Sequence, residues 1–374
     1  TIWLGEFDTS TSELGFIVAL GYALFGLGSL PGGILTDKYG SKRLIIACLA
    51  GMGGAYLLLS VANTLVMITA ALVLWGTAAS VYHPSGLALI SKGVSQRGKA
   101  FAYHGIAGNA GIALGPLATT ILLLFFNWRV VAAVLALPAL AGVLIGMRTK
   151  FQESTAVTED PGKKSEAVEQ PFRTFLSNSR TLLLSSFVAV LAIALLSGLY
   201  YRGVLTFLPD LLSDFPTFDT IRFAGKDLEP ARYLYSGLLM VGMLGQYVGG
   251  RLTDRMPVER GLAFAFLILA IIALVFIPAA EAGLGPLLIV SPILGFFLFV
   301  VQPLYQAMVA EYSPRELRGL SYGYAYLAVF GVGALGAALT GVLLDAFSPT
   351  VMFAVLAAFA GTATVISLME LYRH

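Results

Sequence analysis

"GGILTDKYGSKR", from Gly32 to Arg43, is a knot of glycine and charge between two long apolar runs. Only 12% of the chain is charged, yet four charged residues (Asp37, Lys38, Lys42 and Arg43) fall within seven positions here. A degraded copy, "GGRLTDRMPVER", returns from Gly249 to Arg260. The two match as Gly33-x-Leu35-Thr36-Asp37-Lys38 and Gly250-x-Leu252-Thr253-Asp254-Arg255, offset by 217 residues.

The surroundings of the knot define its setting. Hydrophobic residues make up 57% of the 374, and the mean hydropathy is +0.84. Such a chain cannot hide its apolar surface in one core, so lipid is its solvent. A spanning helix needs about 20 mainly apolar residues. Eleven such runs lie near 12–35, 43–62, 65–91, 100–126, 128–147, 181–209, 232–252, 261–280, 284–309, 317–344 and 348–370. They are unbroken and lack period-2 alternation, which excludes a β-barrel. The fold class is an all-α polytopic membrane protein.

Positive charge orients the bundle. Of the 23 lysines and arginines, 18 sit in one set of alternate loops, at 38–43, 92–99, 148–180, 251–260, 315–318 and 373. Arg129, Arg222, Lys226 and Arg232 fall on the other side, and Arg202 lies within a span. The positive-inside rule makes the first set cytoplasmic and Thr1 external. A chain that starts outside without an initiator Met reads as twelve spans less the first. Residues 149–171 form a polar cytoplasmic linker, with a short surface helix expected at its end. They separate an N-terminal lobe (1–148) from a C-terminal lobe (172–374). The outer loop from Ser213 to Arg232 reads as solvated.

The repeat extends beyond the knot. His83-Pro84 aligns with Gln302-Pro303 at an offset of 219. Arg97-Gly98 aligns with Arg318-Gly319, and Tyr103 with Tyr324, at 221. Similar halves around a linker imply a pseudo-two-fold axis along the membrane normal and a substrate path between the halves.

Ionisable groups inside spans are costly, and so are functional candidates. Three stand out. His83 precedes Pro84, which frees a backbone carbonyl one turn earlier and permits a kink. His104 falls at a similar depth. A histidine can carry a proton across a physiological pH difference; the plainer reading is a neutral ring satisfied by that carbonyl. Arg202, after Tyr200 and Tyr201, needs a partner or a water-filled cavity, and there it would bind a carboxylate or phosphate. The plainer reading is snorkelling to the outer interface, aided by Asp210.

The knot resembles the loop signature GxLaDrxGrr of the major facilitator superfamily, with Ser41 at a usually basic position and Pro257 replacing glycine in the second copy. The resemblance covers essentially the whole chain. It implies two six-helix lobes working by alternating access, usually as a monomer. It also implies a latch that closes the cytoplasmic ends through Gly33, Asp37, Lys38, Gly40, Arg43, Gly250, Asp254 and Arg255. Gly40 permits the tight turn, and Asp37 suits a neighbouring helix N-terminus. The family's cavity-lining spans make Gln302, Tyr305, Gln306, Tyr322 and Tyr326 candidates for substrate contact, alongside Tyr200, Tyr201, Arg202 and Asn109; ordinary packing is the competing reading for the aromatic ones.

Within the superfamily, Gly76-Thr77, Ser80-Val81, His83-Pro84, Gly98-x-Ala100 and Gly108-Asn109-x-Gly111-x-x-x-Gly115-Pro116-Leu117 are similar to the fosmidomycin-resistance type of transporter. That resemblance implies proton-driven efflux of a drug or small organic anion across a prokaryotic plasma membrane. Gly111, Gly115 and Pro116 resemble part of the antiporter motif and would serve helix packing. Thr119-Thr120 stand where paired glycines would continue it, and Leu72 replaces a family arginine. Uptake or exchange of an organic anion, and a sensor that moves nothing, are the competing functions.

The remaining motifs exclude other classes. "GVSQRGKA" from Gly93 to Ala100 imitates a phosphate loop but ends in Ala100 and follows no parallel strand. Three histidines, one of them His374, and the single Cys48 make no metal site or disulfide. No nucleophile–base pair marks an enzyme, and no cofactor or nucleic-acid partner is implied.

Overall fold

Out of water, each backbone N–H and C=O must be satisfied within its own segment, so the apolar runs fold as helices. The computed structural model describes residues 2–93, 97–149, 171–223, 226–314 and 317–373. A short helix α1 (Ile2–Glu6) precedes α2 (Thr11–Leu27), which runs almost directly into α3 (Ser29–Tyr39). Then follow α4 (Ser41–Ser60), α5 (Leu65–Ala79), α6 (Tyr82–Gly93), α7 (Arg97–Leu123) and α8 (Trp128–Arg148). After residues 150–170 come α9 (Pro171–Leu183), α10 (Phe187–Ser213) and α11 (Pro230–Leu252). The order ends with α12 (Val258–Glu281), α13 (Leu284–Glu311), α14 (Arg318–Tyr326), α15 (Leu335–Ala346) and α16 (Pro349–Leu371). Between α14 and α15 the chain widens into a π turn over Leu327–Gly331 and tightens into a 3-10 turn over Val332–Ala334.

Side-chain oxygens cap several N-termini, where the first N–H groups lack intrahelical partners. Ser10, Thr64, Asn127 and Ser348 accept from the backbone N–H groups of Glu13, Met67, Val130 and Val351. Gly40, with φ 83°, joins α3 to α4 in a backbone shape that L side chains resist. The second copy has Pro257 there at φ −53°, and its turn is built differently.

Three expectations need correction. Ten helical passages among the described residues are long and apolar enough to span. The eleventh, α11, has 23 residues, about 35 Å at 1.5 Å per residue. Its Arg232, Gln246, Arg251 and glycines lower its apolarity, and packing against α13 and α7 shelters it instead. The run from 65 is one passage, Leu65–Ile90, as expected, with a step between α5 and α6 at Ser80-Val81, ahead of Pro84. The run from 181 begins spanning only at Phe187. Residues before it belong to α9, which is tied down by buried Leu182 and by the Tyr324 hydroxyl donating to Ser179 Oγ at 2.8 Å. The outer loop is not merely solvated. It holds an antiparallel hairpin, β1 (Ile221–Phe223) with β2 (Lys226–Leu228), whose Lys226 Nζ lies 4.9 Å from the Phe125 ring centroid.

The repeat is visible as packing. An added Cβ on Gly76 would overlap the Gly21 carbonyl, and one on Gly295 would overlap the Leu238 carbonyl. A Cβ on Gly32 would come within 3.1 Å of Pro84 Cγ, and one on Gly249 within 2.7 Å of Pro303 Cγ. Each pair maps onto its counterpart by the offsets of 217 and 219 read from the sequence. Both halves therefore use the same close crossing, of α2/α3 with α5/α6 and of α11 with α13.

The halves meet where α2 and α3 lie against α14 and α15, and where α7 meets α11. At the start of α2, Asp345 of α15 caps a helix belonging to the other half. Its carboxylate accepts from Thr11 N at 3.2 Å, from Ser12 N at 2.7 Å and from the Thr11 hydroxyl. An anion at a helix N-terminus gains from both the free N–H groups and the dipole. Asp345→Ala is expected to loosen this end by roughly 2 kcal/mol. A cysteine replacing Ala19, buried between α2 and α15, should then react about 30-fold faster with a membrane-impermeant maleimide. Unchanged labelling would mean that the cap does not hold the halves together.

On the same side, Arg129 donates to Glu6 Oε1 at 2.8 Å and the Trp128 N–H to Glu6 Oε2 at 3.2 Å. These bonds, the Arg129 one foremost, hold the Glu6 carboxyl below its ordinary pKa and pin α1 to α8.

Candidate substrate site

Arg202 projects from α10 into rings. Its guanidinium carbon lies 3.4 Å from the Tyr22 ring centroid, 5.4 Å from that of Tyr201 and 5.9 Å from that of Phe330. Tyr235 of α11 is within electrostatic reach of Arg202, Tyr201 and Tyr22. Nε of Arg202 is buried with no hydrogen-bond partner, and no acceptor among the described residues takes a bond from the side chain. Cation–π contact contributes about 0.5–2 kcal/mol, but it leaves the in-plane N–H edge unsatisfied. The arrangement suits an anion approaching that edge.

From Arg202 the rings continue as a column through the molecule. Tyr22 meets Trp75 edge-on at 5.0 Å, and Trp75 stacks with Phe25 at 6.2 Å. Phe25 meets Phe330 at 5.0 Å, Phe330 stacks with Tyr326 at 5.6 Å, and Tyr326 stacks with His83 at 5.2 Å. His83 then faces His104 at 6.5 Å and nearly perpendicular, while Tyr82 stacks with His104 at 5.7 Å. The column draws on α2, α5, α6 and α7 from one half, and on α10, α14 and the π turn from the other. The helix break before Tyr82 turns His83 towards it, and the π turn sets Phe330 beside Phe25.

The structure thus brings Arg202, Tyr201, Tyr326, His83 and His104 together. Beside them the Tyr322 hydroxyl donates to the Gln306 carbonyl at 3.2 Å. Tyr305 is buried on the same helix as Gln306 and lies within electrostatic reach of Tyr326 and Tyr201. Gln302 is half-buried on the same helix. Tyr200 is not brought to the site. Its hydroxyl donates to the Leu269 carbonyl of α12 at 2.9 Å inside the core, because consecutive helical residues point about 100° apart. The side chain of Asn109 lies outside the described residues.

The loop knot is placed as follows. Gly33 and Gly250 face open space, and the close approach belongs to their neighbours Gly32 and Gly249. Lys42 Nζ donates to the Thr149 carbonyl at 2.7 Å, capping the end of α8, while Lys38 sits 5.2 Å from the Tyr39 ring. Arg43, Asp254 and Arg255 are exposed. The Asp37 side chain lies outside the described residues. Gly111 and Gly115 also face open space, so the expected tight packing there is absent among the described residues, and α7 continues unbroken through Pro116.

Sequence reasoning missed Tyr22, Phe25, Trp75, Tyr235, Phe330 and Asp345. Only the three-residue spacing of Tyr22 and Phe25 and the four-residue spacing of Tyr326 and Phe330 hinted at shared helix faces.

A helical bundle of spanning helices, built twice and meeting around the half-buried Arg202, defines the class of a polytopic membrane transporter. The sequence pattern of the Major Facilitator Superfamily matches residues 1–334 and 229–374, and the chain belongs to that family. It is 25% identical to the fosmidomycin resistance protein of Escherichia coli strain K12, over 91% of this chain and 79% of that one. It is 26% identical to the membrane sensor protein UhpC of Salmonella typhimurium, over 96% of this chain and 82% of that one. A solved D-xylose-proton symporter superposes with a TM-score of 0.75 at 14% identity, over 96% of this chain and 87% of that one.

Proposed function

We propose that the protein is a proton-coupled secondary transporter that exports a small organic anion or drug by alternating access. In this reading, residues 1–148 and 172–374 are the two lobes, joined by a cytoplasmic linker over 149–171. The protein works as a monomer in a prokaryotic plasma membrane, with its C-terminus inside. Arg202 takes the anionic group, His83 and His104 handle the proton, and the loop knots latch the cytoplasmic ends. Asn109, Gln302, Tyr305, Gln306 and Tyr322 contribute to the wall. The single observation that carries this is the Arg202 guanidinium, its Nε buried without a hydrogen-bond partner among the described residues and surrounded by rings of both halves. The fosmidomycin resistance relative supports the outward direction.

The test uses purified full-length protein in liposomes holding an internal pH dye, under an imposed proton gradient. Substrate-dependent proton flux that disappears in His83→Ala is the expected result. Saturable transport without proton movement would leave uptake or exchange of an anion. Binding with no transport at all would favour a sensor, a reading supported by the likeness to UhpC.

A further inference from the structure

We infer that the anion taken at Arg202 is a monoanion carried on an aromatic body, an aryl carboxylate in chemical terms, rather than a compact dianion such as a phosphonate or sugar phosphate. This rests on the anion-binding role proposed for Arg202.

Charge comes first. The rings within reach of Arg202 bring hydroxyls (Tyr22, Tyr201 and Tyr235), and among the described residues no second cation shares them. His83 meets Phe25 at 5.8 Å and Tyr326 at 5.2 Å, with Phe330 between them and the guanidinium, and His104 lies behind His83. One guanidinium neutralises one negative charge. A dianion would keep a net charge in a low-dielectric surrounding, where an uncompensated charge is heavily penalised.

Geometry comes second. Tyr22 covers one face of the guanidinium at 3.4 Å, so an incoming group must bind in its plane. The unpaired Nε–H lies on that edge, and a carboxylate bound there makes two parallel hydrogen bonds.

The body of the ligand comes third. The side chains around and beyond the guanidinium are Tyr22, Trp75, Phe25 and Phe330, packed against one another alternately edge-on and stacked, and a ligand body there would have to part them. Aromatic ligand rings fit such walls by the same edge and face contacts, each pair contributing about 0.5–1.5 kcal/mol. A polyhydroxylated body would leave several hydroxyls unpaired against them.

Trp75 provides the readout. The chain has three tryptophans, so full-length protein carrying Trp3→Phe and Trp128→Phe keeps Trp75 as the reporter in this sequence. Its emission is followed while benzoate, acetate, methylphosphonate, glycerol phosphate and benzamide are titrated at pH 8. Calorimetry on the unsubstituted protein with the same compounds covers the case in which the tryptophan variants fold poorly. Benzoate is expected to bind about tenfold more tightly than acetate or either phosphorus dianion, and benzamide to bind far more weakly. Arg202→Gln should weaken benzoate about 30-fold. Tighter binding of methylphosphonate or glycerol phosphate than of benzoate would overturn the aryl-carboxylate assignment and leave the anion site standing. Equal binding of benzamide and benzoate, unaffected by Arg202→Gln, would overturn the anion site itself. Silence of both Trp75 and calorimetry to every compound would place the ligand elsewhere and overturn both.

Discussion

Replacing Arg202 with alanine is expected to abolish anion-driven transport, with a loss of about 100-fold or more, while leaving the fold intact. Removing the partner of a buried, charge-assisted hydrogen-bond pair costs roughly 3 kcal/mol when that pair is the main anchor. Stability should respond differently. Truncation removes the stack on Tyr22, a contact of about 0.5–2 kcal/mol, and also removes a buried donor that has no acceptor. An unmet buried donor costs about 1–3 kcal/mol, so the two changes offset. The thermal midpoint of the empty protein should therefore hold or rise as transport is lost. Such a pattern marks a residue kept for function at the expense of stability. Arg202→Lys keeps the charge but loses the planar fork, and should recover only part of the flux. Normal anion affinity in Arg202→Ala would remove the basis of the site. A large fall in thermal midpoint would instead make Arg202 a packing residue.

The sequence reached the fold because hydropathy alone demands it. Runs of 20 or more apolar residues have few structures open to them in lipid, and the repeated loop divides them into halves. It also reached Arg202 and His83, because a cation or a histidine inside an apolar run is conspicuous. Their surroundings were another matter. Phenylalanine and tryptophan in a spanning helix look alike whether they face lipid or a partner, so Phe25, Trp75 and Phe330 gave no individual signal. Tyr200 and Tyr201 differ by one position, and the choice of which faces Arg202 is set by the rotation of α10 about its axis. Gly32 and Gly33 present the same ambiguity, as do Gly249 and Gly250. Asp345 read as one more residue at an outer loop end, because nothing local tells that another half's helix starts beside it. What the sequence withheld is the register between helices, which depends on how complete surfaces fit and not on any one residue.

That register is most exposed to test at Gly26. An added Cβ there would overlap the backbone nitrogen and Cα of Gly331 and lie 2.6 Å from the Phe330 carbonyl carbon. These are main-chain atoms, so no rotamer change relieves the overlap, and α2 must part from the π turn. Phe25 meets Phe330 one residue away, so the column opens where it crosses between the halves. Gly26→Ala is therefore expected to destabilise the closed arrangement by about 3 kcal/mol, beyond any gain from better helix propensity. Gly33→Ala, the same chemical change seven positions along, meets nothing within 4 Å and should lie within about 0.5 kcal/mol of the parent or slightly above it. The matched pair separates contact from propensity. With the Ala19→Cys reporter, Gly26→Ala should speed labelling about 100-fold and slow transport, while Gly33→Ala leaves labelling unchanged. Equal behaviour of the two would mean that the halves do not pass through the Gly26–Gly331 contact during transport. A difference confined to thermal midpoint, with transport unchanged, would make the contact a matter of assembly and not of the transport cycle.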